Sequence, residues 1–108
     1  MNLKSREKGK YTIVEIEGRI DTSNYEDFAQ QLQIFIDKGV KFIVFEMSKL
    51  EYISSSGLRI FLSSLKTLRA IEGDIALCCL SEKIKNVFEV SGFLDLFGSF
   101  ENIDAVED

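Results

Sequence analysis

The 108-residue chain contains no histidine and no proline, and only two cysteines. Each shortage removes a class of chemistry or of structure. Without histidine, a Ser-His-Asp or Cys-His mechanism within one chain is excluded, as is any zinc site built on imidazole. Without proline, punctuation falls to glycine, and Gly39, Gly73 and Gly92 each follow a predicted helix. Cys78 and Cys79 are adjacent in an apolar, strand-like run, where successive side chains point to opposite faces. That alternation predicts a buried, reduced pair with no mutual disulfide, and no metal-ligand spacing surrounds it.

Long apolar runs and basic clusters are also missing. The longest unbroken apolar run, Ile75 to Leu80, falls far short of the roughly 20 residues needed to cross a bilayer. The opening "MNLKSREKGK" lacks the apolar segment of a signal peptide, so a cytoplasmic protein that does not insert into a membrane is expected. A net charge of -5, with no Lys/Arg cluster interleaved with aromatics, argues against nucleic acid as a partner. No P-loop or glycine-rich nucleotide motif is present, and no cofactor and no metal are expected.

With 45% hydrophobic residues, the length supports one domain over residues 1–108 with a real core. "YTIVEIEG" reads as a strand, partnered by Leu3–Lys8 through a turn at Gly9-Lys10. Tyr25, Phe28, Ala29, Leu32, Phe35 and Ile36 then form one helical face, with Ser23 and Glu26 as a capping box and Gly39 as the stop. "KFIVFEM" is apolar nearly throughout, as expected of a central strand buried on both faces by helices. Residues 54–72 give a second helix, with Leu58, Phe61, Leu62, Leu65 and Leu68 on one stripe and Gly73 as its stop. "DIALCCL" reads as another buried strand, followed by a helix capped by Ser81 with Ile84, Val87 and Phe88 inward. A short final strand or helix follows, and "ENIDAVED" reads as a solvated, partly frayed end. The alternation predicts an α/β domain with a mixed sheet and helices packed mainly on one face.

The stretch "EYISSSGLRIF" places Ser54, Ser55 and Ser56 where the loop after the central strand enters the second helix. Ser54 is the best N-cap candidate, which accounts for one hydroxyl. Gly57 weakens the same turn by up to ~1 kcal/mol relative to alanine, and reads as a place where a partner's surface approaches the backbone. The first turn of a helix favours anions, so a phosphate on Ser55 can be held there without unfolding it, and its charge would convert a hydroxyl-bearing contact surface into a repelling one. As a nucleophile elbow the motif is incomplete, since "ISSSG" lacks the first glycine of G-x-S-x-G and the chain lacks a histidine base.

The order of a strand, a "GRIDTSN" turn, a helix, "FIVFEMSKLEYI", "SSSGL", a helix and "ALCCLSEKIKNVFEVSGFLDLF" resembles the STAS domain of bacterial anti-sigma factor antagonists over nearly the whole chain. That family's loop pattern is Asp-Ser-(Ser/Thr/Ala)-Gly-Leu, phosphorylated on the serine after Asp. Ser54 stands in the place of the Asp, Ser55 in that of the phosphorylated serine, Ser56 at the variable position, and Gly57-Leu58 close the motif. Asp21 falls on the family's acidic turn residue.

The resemblance implies a non-enzymatic partner switch. Dephosphorylated, it binds an anti-sigma factor that is also a serine kinase, releasing the sigma factor; the kinase phosphorylates Ser55 to end the binding, and a PP2C-type phosphatase restores it. The expected contact residues are Asp21, Ser54, Ser56, Gly57 and Leu58, with Arg59 beside them at a position where the family often has a small residue. Serine in place of Asp at 54 removes a charge but keeps the capping function. Arg59 can pair with a phosphate on Ser55 or stand as an ordinary solvated helix residue. A second reading is a docking subunit of a transporter or sensory complex that is never phosphorylated, in which an exposed Leu58 and Gly57 serve docking alone.

Overall fold

The computed structural model describes residue 1 and residues 3–106. A hairpin of β1 (Lys4–Lys8) and β2 (Tyr11–Ile20) opens the chain, turning at Gly9. Then follow α1 (Tyr25–Asp37), β3 (Phe42–Ile53), α2 (Ser55–Ala70), β4 (Asp74–Cys78), α3 (Glu82–Val90) and β5 (Gly98–Phe100). Short 3-10 turns occupy Leu94–Leu96 and Ile103–Ala105.

The sheet runs in the order β1-β2-β3-β4-β5, antiparallel at the hairpin and parallel elsewhere, with β3 central as its apolar run requires. Three successive crossovers step across the sheet in one direction. Because such crossovers are right-handed, α1, α2 and α3 all fall on one face. There Phe28 and Leu32 of α1, Phe61, Leu65 and Leu68 of α2, and Ile84 and Phe88 of α3 meet Val14, Ile43, Phe45, Met47, Ile75 and Leu77 of the strands. Phe61 is the centre of this layer, its ring 4.8 Å from that of Phe45, 5.3 Å from Phe28 and 5.6 Å from Phe88.

The expectation that helices bury β3 on both faces is corrected here: the opposite face carries a smaller core of Ile13, Val44, Ala76 and Cys78, covered by Val106, because all three crossovers have the same hand. This corrects the expectation of a frayed C-terminus: Val106 is 1% exposed, and Lys8 Nζ donates to the Ile103 carbonyl at 2.6 Å. Burying one valine and tying one carbonyl outweighs the polarity of the neighbouring residues. Residues 107–108, the rest of that acidic ending, lie outside the described residues.

Three local expectations also change. Ser23 and Glu26 form no capping box: the N-cap of α1 is Asn24, whose Oδ1 accepts from the Asp21 amide at 2.8 Å, while the Ser23 hydroxyl donates to Asp21. Gly39 and Gly92 have the left-handed φ expected after a helix, but at the end of α2 that conformation falls on Glu72, at φ 66°. Gly73 is required for contact instead, since a Cβ there would lie 2.1 Å from the Lys41 carbonyl oxygen. Cys79, finally, has φ 61° and lies beyond the end of β4. The strand alternation stops at Cys78, and the two sulfurs come within 3.5 Å of each other.

Candidate functional site

The backbone N–H of Ser54 donates to the Ile20 carbonyl at 2.8 Å, fixing the start of α2 against the carboxyl end of β2. In α/β sheets that edge is where loops carry binding groups. Ser54 has extended backbone, and its Oγ accepts from the Gly57 amide at 3.1 Å while its carbonyl accepts from the Leu58 amide. The predicted cap is therefore formed, and its hydroxyl is buried and occupied.

Ser55 is the first residue of α2 and is exposed; Ser56 is half-buried. Their amides, at the first two helical positions, have no intrahelical acceptor. The Ser55 hydroxyl takes part in no hydrogen bond among the described residues. A serine nucleophile needs a base within hydrogen-bonding reach, and none is bonded to this one. The first turn of α2 also contains no acidic residue of its own at the positive end of the helix dipole.

Gly57 and Leu58 face inward. A Cβ on Gly57 would lie 2.7 Å from Ile20 Cγ2 and 2.9 Å from Ile53 Cγ1, so this glycine is required by the protein's own core. The reason for a glycine at this position is thus internal packing, where the sequence pointed to a partner's close approach. Leu58 is only 7% exposed, as its place on the apolar stripe predicts, and is not the exposed docking residue of the second reading. Arg59 is exposed, one turn beyond Ser55 on the same side of the helix.

Asp21 follows Ile20 directly. Its Oδ1 accepts from the Ser23 hydroxyl at 2.6 Å and the Ser23 amide at 2.9 Å, and Arg19 Nε lies 3.7 Å from Oδ2. The Ser23 hydrogen bonds, with a smaller contribution from Arg19, hold the carboxyl below the usual aspartate range. The Arg19 guanidinium in turn lies 4.4 Å from the centroid of the Tyr52 ring, and Tyr52 is exposed. Arg19 and Tyr52 were not among the candidates from sequence. Their juxtaposition follows from the β2–β3 register, which pairs Arg19 with Tyr52 and Ile20 with Ile53. A tyrosine two residues before the serine run was the available signal.

A family model of the STAS domain matches residues 2–106, and the chain belongs to that family. BtrV of Bordetella bronchiseptica, named as an anti-sigma factor antagonist, is 39% identical over 82 residues, which are 76% of this chain and 71% of that protein. Among solved structures, a Thermotoga maritima protein also named as an anti-sigma factor antagonist aligns with TM-score 0.88 at 20% identity, over 94% of this chain and 88% of that one. The Bacillus protein SpoIIAA in its phosphorylated form aligns with TM-score 0.72 at 20% identity, over 96% of each chain. Its unphosphorylated form, an anti-sigma factor antagonist, gives 0.73 at 18% identity, over 95% of this chain and 91% of that one. At these identities the structures establish the fold, a five-stranded mixed sheet with three helices, and BtrV supplies the relationship in sequence.

Proposed function

We propose that this chain is an anti-sigma factor antagonist whose binding is switched by phosphorylation of Ser55. The carrying observation is an exposed hydroxyl at the first position of a capped helix whose first turn has no acid of its own. Dephosphorylated, the surface formed by Ser55, Ser56, Arg59, Asp21, Arg19 and Tyr52 binds an anti-sigma factor of the serine-kinase type, and the sigma factor is released. The kinase transfers a phosphoryl group from ATP to Ser55 Oγ, and a PP2C-type phosphatase removes it by hydrolysis.

A phosphate at this position adds roughly -1.5 to -2 charges and three acceptor oxygens. The free amides of Ser55 and Ser56 and the guanidinium of Arg59 receive it, so the helix persists while the contact surface changes sign. Ser54 and Gly57 act indirectly, by fixing the helix start against β2 and β3. The protein is then a substrate and ligand in the cytoplasm, with no catalysis of its own.

Incubation with ATP and each candidate kinase of the same organism, followed by fragment-ion mass spectrometry, tests this. Phosphate on Ser55, with Ser55→Ala retaining the kinase and Ser55→Glu releasing it, is the expected result. Tight binding of a kinase without modification of Ser55, equal for both variants, would instead support a permanent docking module.

A further inference from the structure

Glu46 of β3 and Cys78 of β4 are register partners, so their side chains share the sheet face away from the helices. Cys79 leaves the strand with φ 61°, an unusual backbone for a residue with a side chain, and this brings its sulfur to 3.5 Å from that of Cys78. The two sulfurs and a Glu46 carboxylate oxygen all lie within 4.8 Å of one another. Tetrahedral zinc, with Zn–S of about 2.3 Å and Zn–O of about 2.0 Å, separates two thiolates by about 3.8 Å and a thiolate from a carboxylate oxygen by about 3.5 Å. The sulfur pair is already near that spacing.

We propose that Glu46, Cys78 and Cys79 form a zinc site with three protein ligands and one position open to solvent. Glu46 is 8% exposed, and among the described residues it forms no ion pair, so a cation here supplies the counter-charge a buried carboxylate lacks. Its Oε1 already accepts from the Ser48 amide at 2.9 Å, which orients the carboxylate and leaves the second oxygen for the metal. Cys79, half-exposed, provides access. Binding displaces both thiol protons to solvent and leaves two thiolates and a carboxylate on the ion. Above the site lies the C-terminal turn, where Ile103 and Val106 pack against the cysteines under the Lys8 hydrogen bond to Ile103. The metal would therefore cross-link the interior of β3 to the carboxyl end of β4 beneath the turn that covers them.

The test uses the full chain, reduced and stripped with a chelator, titrated with Co2+ and then Zn2+. One equivalent of Co2+ should develop thiolate-to-cobalt charge-transfer absorption, Zn2+ should abolish it by displacement, and Zn2+ should raise the Tm. Cys79→Ser, at the half-exposed position, should lose the charge-transfer band while its circular dichroism remains native; Glu46→Gln should weaken zinc binding at least about tenfold. Cys78→Ser alters a fully buried residue, so Cys79→Ser carries the argument if that variant fails to fold. Absence of the band at one equivalent, or a band of full intensity in Cys79→Ser, would overturn the assignment. Neither outcome depends on whether Ser55 is phosphorylated.

Discussion

α2 and α3 begin alike and then diverge. Each is capped by a serine in extended backbone, and in each the hydroxyl accepts the amide three residues on, Gly57 at 3.1 Å in α2 and Ile84 at 3.3 Å in α3. At the first helical position, however, α3 has Glu82 and α2 has Ser55. One helix carries a permanent anion where its dipole favours one; the other carries a hydroxyl that can acquire a charge. Under the proposed function, a stabilising feature is withheld from α2 at the point where phosphorylation would switch the surface. The third positions differ as well: Ile84 is buried in the core, whereas Gly57 is pressed against Ile20 and Ile53.

Exchanging the first residues should break the comparison most strongly. Ser55→Glu should weaken binding to the unphosphorylated state's partner by about a hundredfold in a titration, since like charge set against an interface costs several kcal/mol. Glu82→Ser should leave that affinity unchanged; equal losses in both variants would remove the special status of α2. Gly57→Ala comes next: overpacking two buried isoleucines costs about 1–3 kcal/mol, offset by up to ~1 kcal/mol of helix propensity, so denaturant unfolding should show a net loss of about 1–2 kcal/mol. Removing the caps, Ser54→Ala or Ser81→Ala, should cost ~1 kcal/mol each, more at the buried Ser54 than at the exposed Ser81.

A further effect, about 2 kcal/mol by pH 10, should appear in the strand that leads to α3. Burial first, then Cys79 and Glu46, push the Cys78 thiol well above its usual value. The unfolded chain releases that proton near pH 8.5 and the folded chain retains it, so stability held below about pH 8.5 should decline as the pH rises further. Unfolding midpoints measured from pH 7 to 10 should fall less steeply for Cys78→Ala than for the parent. The smallest effect sharpens the first: Ser55→Glu should stabilise the isolated protein by about 0.3–1 kcal/mol, and Glu82→Gln should lose a similar amount.

Elements whose evidence is local were legible from the chain. The apolar spacing of Phe61, Leu65 and Leu68 marked the buried face of α2, and Ser54 and Ser81 were identifiable as caps because a cap answers to amides only three residues away. At the start of α1 the local pattern misled: Ser23 with Glu26 has the spacing of a capping box, but Ser23 and Asn24 both bond to Asp21 and the helix starts one residue later. Gly57 was misread for a different reason. The atoms that exclude a Cβ there belong to Ile20 and Ile53, on strands that meet only in the folded sheet.

The sequence by itself determined the order of strands and helices, the faces they bury, the exclusion of histidine chemistry and the exposed serine at the first turn of α2. These depend on periodicity and on contacts within a turn of helix or a tight hairpin. Only the tertiary structure decided that Arg19 meets both Asp21 and Tyr52, that Val106 closes the second core, and that Cys78 and Cys79 face Glu46 together. The physical reason is strand register: hydrogen bonds between segments far apart in the chain select which side chains become neighbours, and no local pattern encodes that choice.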